Sequence, residues 1–227
     1  MKFLNTLFCC LLLSISVYGQ IEKQKPDYSE IEKNIKDKKS GLFYEKLFEK
    51  FLTCDTSFTL NEKQHLYYGY QFQKNYSPYG SSEFSDSLKK VLNKEELDSN
   101  DVILGIKYGN NILEKFPFDL RTLNILSRLY SKNGDEQNSA KLKNRRENII
   151  AAILSSGDGL TDTTALYILS ISDEYDMLRI LGLKFGGSQS LRGGNDYLKV
   201  TKNEYGIEGM YFDVSAPFGS MSRMFKK

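Results

Sequence analysis

The chain has no tryptophan, one histidine, three cysteines and four prolines among its 227 residues. Each shortage closes a route. A Ser-His-Asp triad would have to use His65, which sits inside an apolar-periodic helical stretch, and no G-x-S-x-G elbow accompanies it. A usual nitrogen–sulfur zinc site cannot be filled by one histidine and the one cysteine that lies beyond the start of the chain. Cys9 and Cys10 belong to that start, so Cys54 alone follows it and no intramolecular disulfide can brace the fold. Cys54 reads as a buried, inert thiol at the end of a helix. An excess of either charge is also missing: 31 Lys and Arg face 29 Asp and Glu, a net charge of +2. Neither the basic footprint of a nucleic-acid binder nor a polybasic membrane-binding patch is present. We therefore expect no nucleic-acid partner, no metal and no cofactor.

What the start does contain is MKFLNTLFCCLLLSISVYG. Lys2 precedes an apolar run from Phe3 to Val17, the charge-then-apolar order of a signal peptide. Val17 and Gly19 place the cut after Gly19, so the exported form begins at Gln20. Cys9 and Cys10 lie too early for a lipoprotein cysteine, and the run is short for an anchor of roughly 20 residues. No later stretch reaches that length. The expected destination is outside the cytoplasm, periplasmic or secreted, with no stable membrane insertion after cleavage.

Residues 20–40 are polar and interrupted by Pro26, and read as a flexible lead or a poorly packed first helix around Ile31 and Ile35. From residue 42 the apolar period turns helical: Phe43, Leu47, Phe48, Phe51 and Leu52 form one stripe. Thr59 stands three residues before Glu62, a capping box for a second helix carrying Leu66, Tyr67, Tyr70 and Phe72. NYSPYGSS, residues 75–82, is a turn-rich loop. Further helices are expected over 83–92, after Asp98 or Ser99, after Asp119, and over 136–155. The pattern changes at Ser156-Gly157-Asp158-Gly159. A β-prone run over 165–171, a short helix over 173–181 and a glycine-rich loop over 182–194 follow. Two strands, 197–201 and 207–214, then flank a turn at Gly206. The expected class is α+β: N-terminal antiparallel helices followed by a small antiparallel sheet with a β-hairpin. We expect a signal peptide over 1–19, a lead over 20–40, a single domain over 41–217 (helical to 156, sheet from 157) and a loose tail over 218–227.

The stretch FPFDLRTLNILSRLYSKNGD, residues 116–135, looks like half of a tetratricopeptide repeat. Leu123, Leu126, Ser127 and Tyr130 hold its large, large, small and tyrosine positions, and the small residue permits close helix approach. The partner helix departs from the pattern at Glu136, Ser139, Lys143 and Arg146, which points to one hairpin inside a globular fold rather than an array. The chain after residue 40 resembles an exported Bacteroidetes family, domain of unknown function 4919. The motifs that carry this are YYGYQF, NYSPY, FPFDLRTLNIL, GDGL, QSLRGGNDYLKV and GIEGMYFDV. The resemblance implies export and no assigned activity. It departs at Asp173, where relatives carry histidine before the Glu-Tyr pair.

Two constellations are candidates for function. Asp158 and Asp162 flank a glycine loop, and Asp173, Glu174, Asp196 and Glu208 lie in the sheet region with Arg192. If Asp158, Asp173, Asp196 and Arg192 shared one pocket, a carboxylate-based hydrolase would be favoured. The second is the aromatic cluster of Tyr67, Tyr68, Tyr70, Phe72, Tyr76 and Tyr79. Tyrosine joins an apolar body to a polar tip, which suits sugar or peptide contacts, and it equally suits packing of the helical core. A pocket between the helices beside Tyr70 and Tyr79 would favour binding. With no convincing catalytic set, the expected role is non-catalytic, acting through a protein partner; the alternatives are the hydrolase and a sugar- or peptide-binding module.

Overall fold

The structure, a computed structural model, describes residues 23–224. The expected signal peptide lies outside the described residues. Short-range signals set most of the helices. Asp27 caps α1 (Tyr28–Lys36) by accepting from the Ser29 and Glu30 N–H groups, both at 3.0 Å. α2 (Tyr44–Thr53) ends at Cys54, which adopts the left-handed conformation and is half-buried, its thiol 3.3 Å from the Lys141 carbonyl. The Thr59–Glu62 capping box opens α3 (Leu60–Gly69), which tightens into a 3-10 turn at Tyr70–Phe72. α4 (Ser85–Leu92) leads to α5 (Ser99–Lys115), opened by a capping box between Asp98 and Asp101. Asp119 caps α6 (Leu120–Lys132), accepting from Thr122 N–H at 2.6 Å. Gly134, at φ +79°, makes the turn into α7 (Glu136–Leu154), which Asp135 caps.

The α6–α7 pair packs along its length, with Leu123, Leu126 and Ser127 buried. Tyr130 is half-buried, and its hydroxyl accepts from Asn110 on α5 at 2.9 Å. Gly105 and Gly109 bring α5 against Leu129 and Leu126 of α6.

Beyond α7, Gly157 lies so close to strand-side backbone that a Cβ there would stand 2.2 Å from the Thr164 carbonyl oxygen. Asp158 and Gly159 N–H groups donate to that same oxygen, and Thr164 Oγ1 donates to Asp158 at 2.6 Å. The GDGL motif is thus a turn that stitches the helices to the sheet. The sheet contains β1 (Leu166–Tyr167), β2 (Phe185–Arg192), β3 (Asn195–Val200) and β4 (Gly209–Asp213), in the order β1-β4-β3-β2. α8 (Ile171–Ile180) intervenes after β1. Leu198, Val200, Met210, Phe212 and Val214 turn one face inward, as the alternation requires. The chain is therefore α+β, with one parallel pair, β1 with β4, in an otherwise antiparallel sheet.

Three stretches differ from expectation. The glycine-rich segment is largely strand: β2 pairs with β3, a register shift falls between Phe185 and Gln189 at Gly187 (φ +81°), and Gly193-Gly194, both at positive φ, close a two-residue hairpin. The lead contains α1, whose Ile31 and Ile35 are buried, with Ile35 seated on Gly69. The tail carries α9 (Ser215–Met224). Pro217 falls in its first turn, where a missing N–H costs nothing, and Asp213 accepts from Ser215 N–H at 3.0 Å. One core cluster runs from Ile31 through the helices to Ala216. No helix among the described residues is long and apolar enough to cross a membrane.

Candidate functional site

A cavity of about 340 Å³ opens where loop 75–82, the α5–α6 junction and the start of α8 meet. Ligand sites begin at about this size. Its apolar wall comes from Phe116, Phe118, Ile112 and Leu169; Tyr67, Tyr70 and Tyr76 add aromatic surface, and serine hydroxyls of 77, 81, 82, 85, 170 and 172 supply polarity. Asp119, Arg121 and Asp173 bring the charges.

The tyrosines are core residues first. Tyr67 and Tyr68 are buried, and their hydroxyls donate to Asp173 Oδ2 at 2.8 Å and to the Ala152 carbonyl at 3.1 Å. Tyr76 donates to the Leu169 carbonyl at 2.8 Å. Tyr70 packs edge-on to Phe118, ring centroids 5.0 Å apart. Tyr79 lies between the lining residues Pro78 and Gly80 and is 42% exposed. Gly80 itself has no room for a side chain, since a Cβ would stand 2.9 Å from the Phe116 ring. The loop is thereby pinned over the cavity.

Asp173, at the third position of α8, is 3% exposed. Burial, then the neighbouring carboxylates Asp176 and Asp119, push its carboxyl up to about 8, against the Tyr67 hydroxyl and Ser170 N–H, which pull it down. Burial also raises Asp119. Next to Asp173 in the chain is Glu174, fully buried, with both carboxylate oxygens shut away from solvent and no N–H or hydroxyl group donating to them. Burial first, then Asp196 and Asp173, push it up to about 9. Asp196 is buried and accepts from Gln189 Nε2 at 2.8 Å, while Tyr175 donates to the Gln189 side-chain oxygen.

Of the residues singled out in the sequence, the cavity gathers Tyr67, Tyr70, Tyr76 and Asp173. It does not gather Asp158, Arg192 or Asp196. Asp158 pairs with Lys23 at 3.0 Å and is held down at about 2, where its bonds to Thr164, Leu160 N–H and Lys23 outweigh its burial. Arg192 lies over the Tyr197 ring, 3.6 Å from its centroid. His65 is a strut between α1 and α3: Nδ1 lies 2.9 Å from the Asn61 carbonyl and Nε2 lies 3.1 Å from Asn34 Nδ2. No group of three or more His, Cys, Asp or Glu side chains among the described residues is arranged to hold a metal ion. Sequence reasoning passed over Arg121, Phe116, Phe118, Ser170 and Ser172. The tetratricopeptide-like pattern had flagged the 116–121 stretch for packing alone.

Over residues 29–223 the chain matches the family described as Domain of unknown function (DUF4919), and it belongs to that family. No curated protein and no solved structure matches it.

Proposed function

We propose that this chain is an exported, non-catalytic protein that works by binding a protein partner, and that loop 75–82 with the cavity beneath it forms the contact. The observation that carries this reading is the loop's chemistry in its setting. Asn, Tyr, Ser, Pro and Gly make up the whole of NYSPYGSS, and its tyrosine and serines surround an aromatic-walled cavity. Tyrosine supplies rigid amphipathic area at small entropic cost and serine supplies adaptable hydrogen bonds, the combination that antibody paratopes use. Tyr79 then projects as an anchor, and the cavity takes a side chain of the partner. The tetratricopeptide-like hairpin α6–α7 supports the same class, because its first residues wall the site. Export rests on the N-terminal charge-then-apolar pattern and on the resemblance to exported Bacteroidetes proteins.

A hydrolase needs two accessible carboxyl groups facing one space. Here Asp173 and Asp119 line the cavity, but Asp119 is committed to the α6 cap and Asp173 to Tyr67. A sugar- or peptide-binding module is the reading nearest to ours, and shares the site. Affinity capture from the envelope of the native host, with Gln20–Lys227 as bait, tests the proposal against a Tyr79→Ala/Ser81→Trp variant. A partner retained by the parent and lost by the variant supports it. An identical set of captured proteins from both baits would refute it.

A further inference from the structure

A second groove, of about 490 Å³, lies between α6, α7 and α8. Four arginines line it: Arg121 and Arg128 seven residues apart on one face of α6, Arg146 from α7 and Arg179 from α8. Asn124, between the two on α6, adds an amide. The one acid in the lining is Asp176, itself buried. In a chain whose total charge is +2, a lining of four positive charges against one negative charge is a strong local departure.

Asp176 organises the groove without neutralising it. Arg121 Nε lies 3.5 Å from its Oδ1, and Arg179 Nη2 donates to the same oxygen. Both arginine side chains stay more than half exposed, and each carries five N–H donors, more than one aspartate oxygen takes up. Asp119 is in electrostatic range of Arg121, but its carboxylate is held by the α6 cap. Arg128 and Arg146 are in no ion pair or hydrogen bond among the described residues. Four arginines from three helices, two of them unpaired and two sharing one aspartate, repel one another, and an anion relieves that cost.

We propose that this groove binds a phosphoryl group carried by a small soluble ester or by a lipid headgroup. The charge count selects the class. A carboxylate presents one charge in a plane and would leave at least two guanidinium groups unmatched. A phosphate monoester brings close to two charges and three acceptor oxygens in three directions, which suits forks arriving from three helices. The site is separate from the tyrosine loop and shares with the first cavity the single residue Arg121.

The test titrates the mature chain at pH 7.5 and fixed ionic strength with inorganic phosphate, glucose 6-phosphate and acetate by calorimetry, and with phosphatidic-acid vesicles by flotation. Saturable binding of phosphate or glucose 6-phosphate, at least tenfold tighter than acetate, supports the proposal with a soluble source. Flotation with vesicles and no soluble binding supports it with a lipid source. Arg128→Gln/Arg146→Gln should weaken either by tenfold or more and reduce its salt dependence, while Arg192→Gln, on the distant hairpin, changes neither. Arg128→Lys keeps the charge and loses the fork, so it should fall between, and it serves if the double variant does not fold. Acetate binding as tightly as phosphate, no binding of any probe, or unchanged binding in the folded arginine variants would each overturn the assignment.

Discussion

Replacing Asp173 by asparagine should stabilise the protein at neutral pH, and more so as pH rises. The side chain is buried, and Tyr67 donates a hydrogen bond to it from the neighbouring helix. Its folded-state value of about 8, against an ordinary 3.8, means that the native carboxyl is largely protonated at pH 7 while the unfolded one is ionised. Folding therefore takes up a proton. The sign follows: below about pH 4 the group carries no penalty, between the two values stability falls as pH rises, and above about pH 8 the loss levels off. Each pH unit is worth about 1.4 kcal/mol, so at pH 7 the burden is on the order of 4 kcal/mol. Asparagine is neutral throughout and keeps an oxygen for the Tyr67 hydroxyl, so the variant escapes that term.

Urea melts of both proteins at half-unit steps from pH 5 to pH 8.5 measure the effect. The gap between variant and parent should widen steadily towards high pH, by about 1 kcal/mol per unit. Glu174, raised to about 9 beside it in the chain, leaves part of the parent's slope in the variant, and Glu174→Gln should remove that remainder. Parallel pH profiles for parent and Asp173→Asn would refute the reasoning, because they would mean that the carboxyl is ionised in the native protein. So would a variant less stable than the parent at pH 8.

Ser127→Leu should overpack the α6–α7 contact, where Ser127 is buried with its hydroxyl donating to the Asn124 carbonyl, and cost about 1–3 kcal/mol in a denaturant melt. Lys132→Ala, on the exposed side, should be nearly neutral; the opposite order would mean that the helix is rotated. Gly157→Ala places a Cβ against two carbonyl oxygens, at 2.2 and 2.5 Å, and should cost about 3 kcal/mol or more, whereas Gly41→Ala, with open space around it, should change little by the same assay. On the export reading, N-terminal sequencing of the protein from its native host should read from Gln20, and a mature protein that begins at Met1 would remove that reading.

The legible parts of the fold were those with local physics. Capping residues announce themselves within four positions, so Thr59, Asp98, Asp119 and Gly134 mark helix ends without any tertiary knowledge. The inward faces of β3 and β4 were legible because each alternates. β2 was not, since every residue in it is exposed and nothing in its pattern reports burial. Pairing to β3 alone makes it a strand, and its glycines advertise turns, which they also are. α1 was half legible: two isoleucines make a poor stripe until Gly69 on α3 lets one of them seat.

The site divides along the same line, and this bears on what the acids do. Sequence reading picked carboxylates because chemistry uses them, and it picked tyrosines because they cluster. The cavity is assembled from residues 67–85, 112–121 and 169–173, segments whose meeting no short-range signal encodes. Where the chain does bring carboxyl groups together, at Asp173, Glu174 and Asp196, it encloses them instead of presenting them. Glu174 has both oxygens shut away from solvent, so it is not presented to a substrate. Buried acids of this kind act on stability, and burial pushes up two of them, Asp173 and its neighbour Glu174, the first of which forms the cavity wall with Tyr67. Raising the pH should therefore loosen that wall before the rest of the helical core, because the Tyr67–Asp173 contact sits on the groups that must ionise. Hydrogen exchange at the Leu169 N–H, which donates to the Tyr67 hydroxyl at 3.0 Å, reports on this directly. After correction for the intrinsic pH dependence of exchange, its protection should fall between pH 7 and pH 9 in the parent and hold in Asp173→Asn; equal loss in both would detach the buried acids from the cavity.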